Sequence, residues 1–191
     1  ARLAQVFVGQ EHHVTGKTVH GNVVDSVRLT ADAEIEWMPG VTDGNVKIVM
    51  TITSPDGKTV LTAESGTMDP LTNSAPAKNL TGLTCDLRSN HVQASLTVEN
   101  PELWWPNGYG EANLYDYEIE LFSGENPIDE KKGRFGFKEI KLVQEPIDGG
   151  RYSFYFVVNG KKVFAKGSNW VPISNMTGAI EDEKYIKLLR I

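Results

Sequence analysis

Most of the chain alternates apolar and polar residues with a period of two, which is typical of strands with one buried face. Pairs such as Pro-Gly, Asp-Gly and Ser-Gly, which favour turns, separate these stretches. About seven to eight strands divided by such turns predict an all-β fold, an immunoglobulin-like β-sandwich. The predicted strands cover residues 3–8, 23–37, 45–54, 59–64, 80–87, 92–98, 113–122 and 134–143.

Two stretches of this first part depart from simple alternation. The apolar pattern at residues 23–37 is long for one strand, so we expect a bend or a bulge near Ala31-Asp32-Ala33. Residues 65–79 hold few large apolar side chains and many Thr, Ser, Pro and Ala, which indicates a long surface loop.

The pattern changes after residue 145. Two apolar stretches, residues 152–158 and 162–166, flank Asn159-Gly160, which predicts a hairpin with a two-residue turn. A loop at residues 167–179 follows. A helix is then predicted to begin at Glu181-Asp182-Glu183, because acidic side chains are favourable in the first turn of a helix.

The order strand, loop and amphipathic helix is how a β/α barrel begins. We therefore predict two units: a sandwich domain at residues 1–145, and a truncated start of a TIM (β/α)8 barrel at residues 146–191. A C-terminal helix packed on the sandwich remains the alternative. Both ends of the chain interrupt a strand or helix pattern, so we expect it to be a piece of a longer protein.

Charge and composition limit the classes of partner and of metal site that the chain can have. The 191 residues carry a formal net charge of −6, which argues against nucleic acid and anionic membranes as main partners. No apolar run approaches the roughly 20 residues of a membrane span. Cys85 is the single cysteine, so an internal disulfide and a Cys-based metal site are excluded. His12 and His13 are neighbours on a strand and point to opposite faces, so we expect neither a metal site nor a cofactor.

The densest cluster of aromatic residues is Trp104, Trp105 and Tyr109, which lie among Pro and Gly residues. Aromatic faces stack on the apolar faces of pyranose rings, so the cluster fits a sugar platform. It also fits a buried plug between two strands, the interpretation we prefer, since Pro101 and Pro106 favour a rigid corner. Composition alone leaves both interpretations open.

Several ordered motifs resemble glycoside hydrolase family 2. They are Asn-Pro-Glu-Leu-Trp-Trp-Pro-Asn-Gly-Tyr-Gly at residues 100–110, Gly-Arg-Phe-Gly-Phe-Lys-Glu-Ile at residues 133–140, and Phe-Ala-Lys-Gly-Ser-Asn-Trp-Val-Pro at residues 164–172. The doubled Trp and the last motif are most similar to the β-mannosidase branch. An acid often follows that motif in the branch, where this chain has Ile173-Ser174.

The resemblance implies a retaining exo-β-glycosidase that acts on an oligosaccharide or glycoside. Such enzymes use two carboxylates about 5–5.5 Å apart. In the family both are glutamates on later barrel strands, so we expect no catalytic residue in this chain. Barrel active sites lie at the C-terminal ends of strands, which makes Ser168, Asn169 and Trp170 the predicted substrate-binding residues. The alternative for Trp170 is that it closes the barrel against the sandwich.

Two alternatives remain open at this point. Within the same family, the parent enzyme would be a β-galactosidase or an exo-β-glucosaminidase. Outside it, the chain would be a stand-alone carbohydrate-binding or adhesion sandwich. In the first case the sandwich serves the neighbouring domains of its own chain as a spacer.

Overall fold

The computed structural model describes residues 1–37, 45–66, 90–167, 169 and 182–189. The predicted strand at residues 80–87, with Cys85, lies outside this part of the chain, as do residues 67–79 of the predicted loop and Glu181. The elements are β1 (Arg2–Thr18), β2 (Gly21–Glu36), β3 (Val46–Thr53), β4 (Val60–Glu64), β5 (His91–Glu99), β6 (Tyr115–Ser123), β7 (Asn126–Phe135), β8 (Ile140–Val143), β9 (Pro146–Ile147), β10 (Arg151–Tyr152), β11 (Tyr155–Val158), β12 (Lys161–Val163) and α1 (Asp182–Leu189).

The first seven strands form two antiparallel sheets. One sheet has the order β1-β2-β5 and the other has the order β4-β3-β6-β7. The second strand thus pairs with the fifth and the third pairs with the sixth, which is the arrangement of an immunoglobulin-like sandwich. The predicted all-β sandwich is confirmed.

The core lies between the two sheets and follows from the alternation of apolar residues. From Val27 to Ile35 on β2, and along β3, every second side chain is buried, because each strand presents one face to the opposite sheet. Small Ala residues on β2 and β5 belong to the same buried cluster as the larger apolar side chains of β3 and β6. The fully buried apolar side chains with the largest volumes are Phe137, Leu29, Ile35, Ile48, Met50, Ile52, Ile119, Leu121, Val27 and Val46.

The first strand is longer than predicted and closes the sandwich against late parts of the chain. Only residues 3–8 were predicted, because residues 9–18 are mostly polar and exposed, yet β1 pairs with β2 along its whole length. The Leu3 amide donates to Asp129 Oδ2 on β7 at 2.7 Å. Gln10 donates through Nε2 to the Gly136 carbonyl at 3.2 Å and accepts from the Lys138 amide at 3.3 Å.

The predicted bulge near Ala31-Asp32-Ala33 is wrong. β2 pairs there without a register shift, with β1 on one side and with β5 on the other. The irregular pairs of β1 and β2 lie instead at Leu3/Gln5 and at 13–16, towards the ends of the hairpin. Ala31 and Ala33 are fully buried, so a slip at this point would turn apolar residues away from the core.

The predicted strand at residues 134–143 is in fact parts of two strands. β7 begins at Asn126 and ends at Phe135, and β8 begins at Ile140. The four intervening residues leave the ladder, which places Phe137 in the core with no exposed surface. The polar first half of β7 was missed because an edge strand with two exposed faces shows no apolar alternation.

The hairpin predicted around Asn159-Gly160 is present. β11 and β12 flank this two-residue turn, and both turn residues have positive φ, 47° and 77°. Positive φ at both positions is the geometry that Asn-Gly favours in tight hairpins. β8 pairs with the free edge of β11, which gives a third small sheet of order β12-β11-β8.

Candidate functional site

The aromatic segment at residues 100–110 joins β5 to β6 and is held by its backbone. The Trp104 amide donates to the Phe137 carbonyl at 2.9 Å, and the Trp105 amide donates to the Glu111 carbonyl at 2.9 Å. The Tyr109 amide closes a turn on the Pro106 carbonyl at 3.0 Å. The segment is therefore fixed to the core-forming Phe137 at one end and closed on itself at the other.

Both Trp rings are half-buried and pack on glycines. A Cβ added at Gly136 would lie 2.5 Å from Trp104 Cβ, and Lys138 Nζ lies 4.4 Å from the centroid of the Trp104 ring. A Cβ added at Gly21 would lie 2.7 Å from Trp105 Cη2. Both rings are partly covered, and neither is fully buried or fully exposed. Their packing favours the structural interpretation over an open sugar platform.

Tyr115 holds the start of the aromatic segment in place. Its ring is buried at the start of β6, and its Oη accepts from the Glu102 amide at 2.9 Å. A Tyr that bonds back to the backbone in this position is the tyrosine corner of immunoglobulin-like domains. Burial raises the pKa of the Tyr115 hydroxyl, and the hydrogen bond from the Glu102 amide acts in the opposite direction.

The hairpin turn inserts Asn159 into the sandwich. Asn159 is 1% exposed, and it is the only buried polar or charged side chain in the described part of the chain. Its Oδ1 accepts from the Glu139 amide at 2.8 Å, and its Nδ2 donates to the Trp104 carbonyl at 2.9 Å. Its backbone carbonyl accepts from the Asn22 amide at 2.7 Å. One side chain thus ties β11, the aromatic segment and the approach to β8 together, next to the tip of the β1–β2 hairpin.

The adjacent Gly160 is required for the same close approach. A Cβ on this residue would collide with the Asn22 side-chain amide, and its φ of +77° is strained for other residues. The sequence pattern identified Asn159-Gly160 as a turn, but it did not show that this turn packs against the sandwich. Asn-Gly is a local signal for the turn, whereas the burial of Asn159 depends on residues far away in the sequence.

A cleft of about 740 Å³ separates the aromatic segment from the third sheet. Tyr109 crosses it, because its Oη accepts from the Phe164 amide at 3.0 Å. Lys161 Nζ lies 5.5 Å from the centroid of the Tyr109 ring. The described residues that line the cleft are Trp104, Pro106, Asn107, Gly108, Tyr109, Ile140, Phe156, Val158, Val163, Phe164, Ala165 and Lys166.

The chemistry of this cleft is apolar and basic. None of its described lining residues is acidic, so a pair of carboxylates has no place in it. Residues 131–167 contain nine Lys and Arg residues and three Asp and Glu residues, in a chain whose net charge is −6. The cleft can hold an apolar or negatively charged surface, and none of its described lining residues carries a carboxyl group that could act as a general acid.

Of the predicted substrate-binding residues, only Asn169 is described, and it is exposed. Ser168 and Trp170 lie outside the described residues. The three therefore stay a prediction.

Three of the described histidines have side-chain partners within the protein. His13 Nδ1 and His91 Nδ1 each lie 2.7 Å from a carboxylate, of Asp25 and Asp32 respectively, and His12 Nε2 lies 3.2 Å from Gln10 Oε1. Within the described ranges no group of three or more His, Cys, Asp or Glu residues is placed to bind a metal ion. No helix in these ranges is long and apolar enough to cross a membrane.

The chain is similar in sequence to fungal β-mannosidases B. It is 34% identical over 100 residues to the protein of Aspergillus clavatus and 36% identical over 100 residues to that of Neosartorya fischeri. Each alignment covers 52% of this chain and 12% of the relative. The chain thus spans about an eighth of the length of the curated relatives it matches.

Solved structures share the fold at lower identity. A putative β-galactosidase from Bacteroides fragilis matches 83% of this chain and 18% of its own, with a TM-score of 0.54 at 18% identity. A β-glucuronidase from Parabacteroides merdae matches 98% of this chain and 19% of its own, with a TM-score of 0.57 at 15% identity.

The family model of the glycosyl hydrolases family 2 matches residues 12–138. The match runs from β1, through both sheets of the sandwich and the aromatic segment, to the residues that place Phe137 in the core. The family resemblance of the sequence motifs is thereby confirmed. Because the matched region covers well over half of the chain, this chain belongs to family 2 of the glycosyl hydrolases.

Proposed function

We propose that this chain is a non-catalytic part of a retaining exo-β-glycosidase of β-mannosidase type, which hydrolyses terminal β-linked sugars in a longer protein. The observation that carries the proposal is the junction at Asn159. A small sheet that is too short to be stable alone is locked onto the sandwich by one buried side chain. The likeness to β-mannosidases B supports the substrate class.

In this proposal the sandwich is a spacer that holds the catalytic domain, with its third sheet as the docking face. Ile140, Leu142, Phe154 and Phe164 are between 48% and 75% exposed on or beside that sheet. Exposed apolar side chains that cluster in this way mark interaction surfaces. The occupant is the remainder of the catalytic barrel of the same chain, beyond β11 and β12, which themselves fall within the predicted barrel start at residues 146–191. The excess of Lys and Arg at residues 131–167 favours an acidic surface on that domain.

This chain is expected to hydrolyse no aryl β-mannoside, β-galactoside or β-glucosaminide. The catalytic pair needs two carboxylates about 5–5.5 Å apart in a substrate cleft, and the described cleft is lined by none. The measurement is aryl release by the purified chain beside a longer chain that continues this sequence into a catalytic domain. The longer chain should prefer the β-mannoside. Turnover by the 191-residue chain that survives repurification would contradict the proposal.

We further propose that Ser168, Asn169 and Trp170 contact the substrate in the longer enzyme. Replacing Asn169 by Ala removes one hydrogen bond to a sugar hydroxyl, so kcat/KM on the β-mannoside should fall about threefold to tenfold. Asn126→Ala is the matched control, since Asn126 is an exposed Asn at the start of the edge strand β7. Equal kcat/KM for both variants and the unmodified enzyme would remove Asn169 from the substrate site.

A further inference from the structure

The chain contains two Asn-Gly dipeptides, and both line or adjoin the cleft. Asn107-Gly108 lies in the aromatic segment, and Asn159-Gly160 is the turn between β11 and β12. Each Gly has positive φ, 81° at Gly108 and 77° at Gly160. The two dipeptides therefore share sequence and a tight turn, and they differ in their surroundings.

An Asn-Gly pair can modify itself without an enzyme. The backbone nitrogen of the Gly attacks Cγ of the Asn side chain, forms a C–N bond and expels ammonia, which leaves a five-membered succinimide. Water then opens the ring to aspartate or isoaspartate. Gly favours the first step because it has no Cβ to hinder the approach. The reaction requires an Asn side chain that can rotate onto the next backbone nitrogen.

Asn159 cannot make that rotation in the folded chain. Both atoms of its side-chain amide are bonded, Oδ1 to the Glu139 amide and Nδ2 to the Trp104 carbonyl. The space beside Gly160 is filled by the Asn22 side chain. Attack at Asn159 therefore requires the hairpin to leave the sandwich first.

Asn107 meets none of these obstacles. Its side chain is exposed, and among the described residues it makes no hydrogen bond that would hold it. No atom lies within 4 Å of a Cβ built on Gly108, so the turn has room for the ring. The turn itself is closed by one hydrogen bond, from the Tyr109 amide to the Pro106 carbonyl.

We propose that Asn107 is a site of spontaneous deamidation, by water, that changes the charge and the backbone at the rim of the cleft. Either product places a carboxylate beside a cleft whose described lining has no acid and carries Lys166. Isoaspartate also adds a carbon atom to the main chain between Pro106 and Tyr109. That change displaces Tyr109, whose Oη accepts from the Phe164 amide. Deamidation thus loosens the contact that spans the cleft.

The test follows both Asn-Gly peptides by mass spectrometry after incubation of the chain in mildly alkaline buffer, native and in denaturant. In the native chain Asn107 should deamidate at least about tenfold faster than Asn159, because the buried site reacts only after local opening. In denaturant the two rates should converge. Equal rates in the native chain, or a faster reaction at Asn159, would overturn the proposal.

Two variants separate the modification from its consequence. Asn107→Gln should abolish the first acidic species on ion exchange, because the longer side chain closes its ring far more slowly. Tyr109→Phe removes the acceptor of the Phe164 amide directly, and it should speed the exchange of that amide as much as isoaspartate at residue 107 does. Unchanged exchange of the Phe164 amide in the isoaspartate form would overturn the structural consequence.

Discussion

Replacing Asn159 by Ala is expected to lower the free energy of unfolding by about 3–5 kcal/mol. The change leaves the Glu139 amide and the Trp104 carbonyl buried without partners, at about 1–3 kcal/mol each. It also places an Ala at a φ of 47°, where a residue other than Gly or Asn is strained by roughly 1 kcal/mol. Urea denaturation measures the total loss.

Hydrogen exchange of the backbone amides shows which part of the chain is destabilised by the change. The sheet of β8, β11 and β12 should lose protection before the sandwich does, since Asn159 joins the two. Asn159→Gly isolates the hydrogen bonds, because Gly accepts the positive φ; it should recover about 1 kcal/mol relative to Ala. Asn107→Ala, an exposed Asn-Gly position, should change the free energy by at most about 0.5 kcal/mol. If Asn159→Ala behaved like Asn107→Ala, the junction would not hold the sheet.

Replacing Phe137 by Ala is the second change with a large expected effect, again about 3–5 kcal/mol. The ring has no exposed surface and makes edge contacts with Tyr115 at 4.5 Å and with Phe135 at 5.1 Å between centroids. Its backbone carbonyl accepts from the Trp104 amide, so a cavity here weakens the anchor of the aromatic segment as well. Thermal and urea unfolding give the magnitude.

Phe137→Leu should cost less, about 1.5 kcal/mol, since it keeps most of the apolar volume. Phe7→Ala is the control for removing a ring from the surface, because Phe7 is 69% exposed on β1. Its effect should stay within about 0.5 kcal/mol. A loss at Phe137 no larger than that at Phe7 would show that residues 136–139 do not seal the core.

The strands of the sandwich were predictable from the sequence where one face of the strand is buried and the other is exposed to solvent. On β3 the buried Ile48, Met50 and Ile52 alternate with the partly exposed Lys47, Val49 and Thr51, and this alternation is the signal. This signal is absent where a segment is a strand only because a neighbouring strand pairs with it. Residues 9–18 of β1 and the polar half of β7 are strands because β2 and β6 hydrogen-bond them, and neither shows an apolar period of its own.

The candidate site was predictable only in part. The motif at residues 100–110 and the hairpin at residues 152–166 were both identified, and the cleft lies between them. What joins them, Asn159, was recognised only as a turn residue. Its amide meets Trp104, 55 residues earlier in the sequence, and no local pattern encodes such a distance. The same holds for Gly136, whose missing side chain makes room for a Trp from another segment.

The hydrogen bonds that join β1 to β7 and to the residues after β7 affect the order in which the sandwich folds. Leu3 meets Asp129, and Gln10 meets Gly136, across 126 positions in each case. During synthesis the first strand can pair with β2 early, but its other contacts wait until nearly the whole sandwich has left the ribosome. Contacts of such high sequence separation slow folding, and they leave an unfinished edge in the meantime. The first strand of this sandwich is thus among the last of its strands to be fixed.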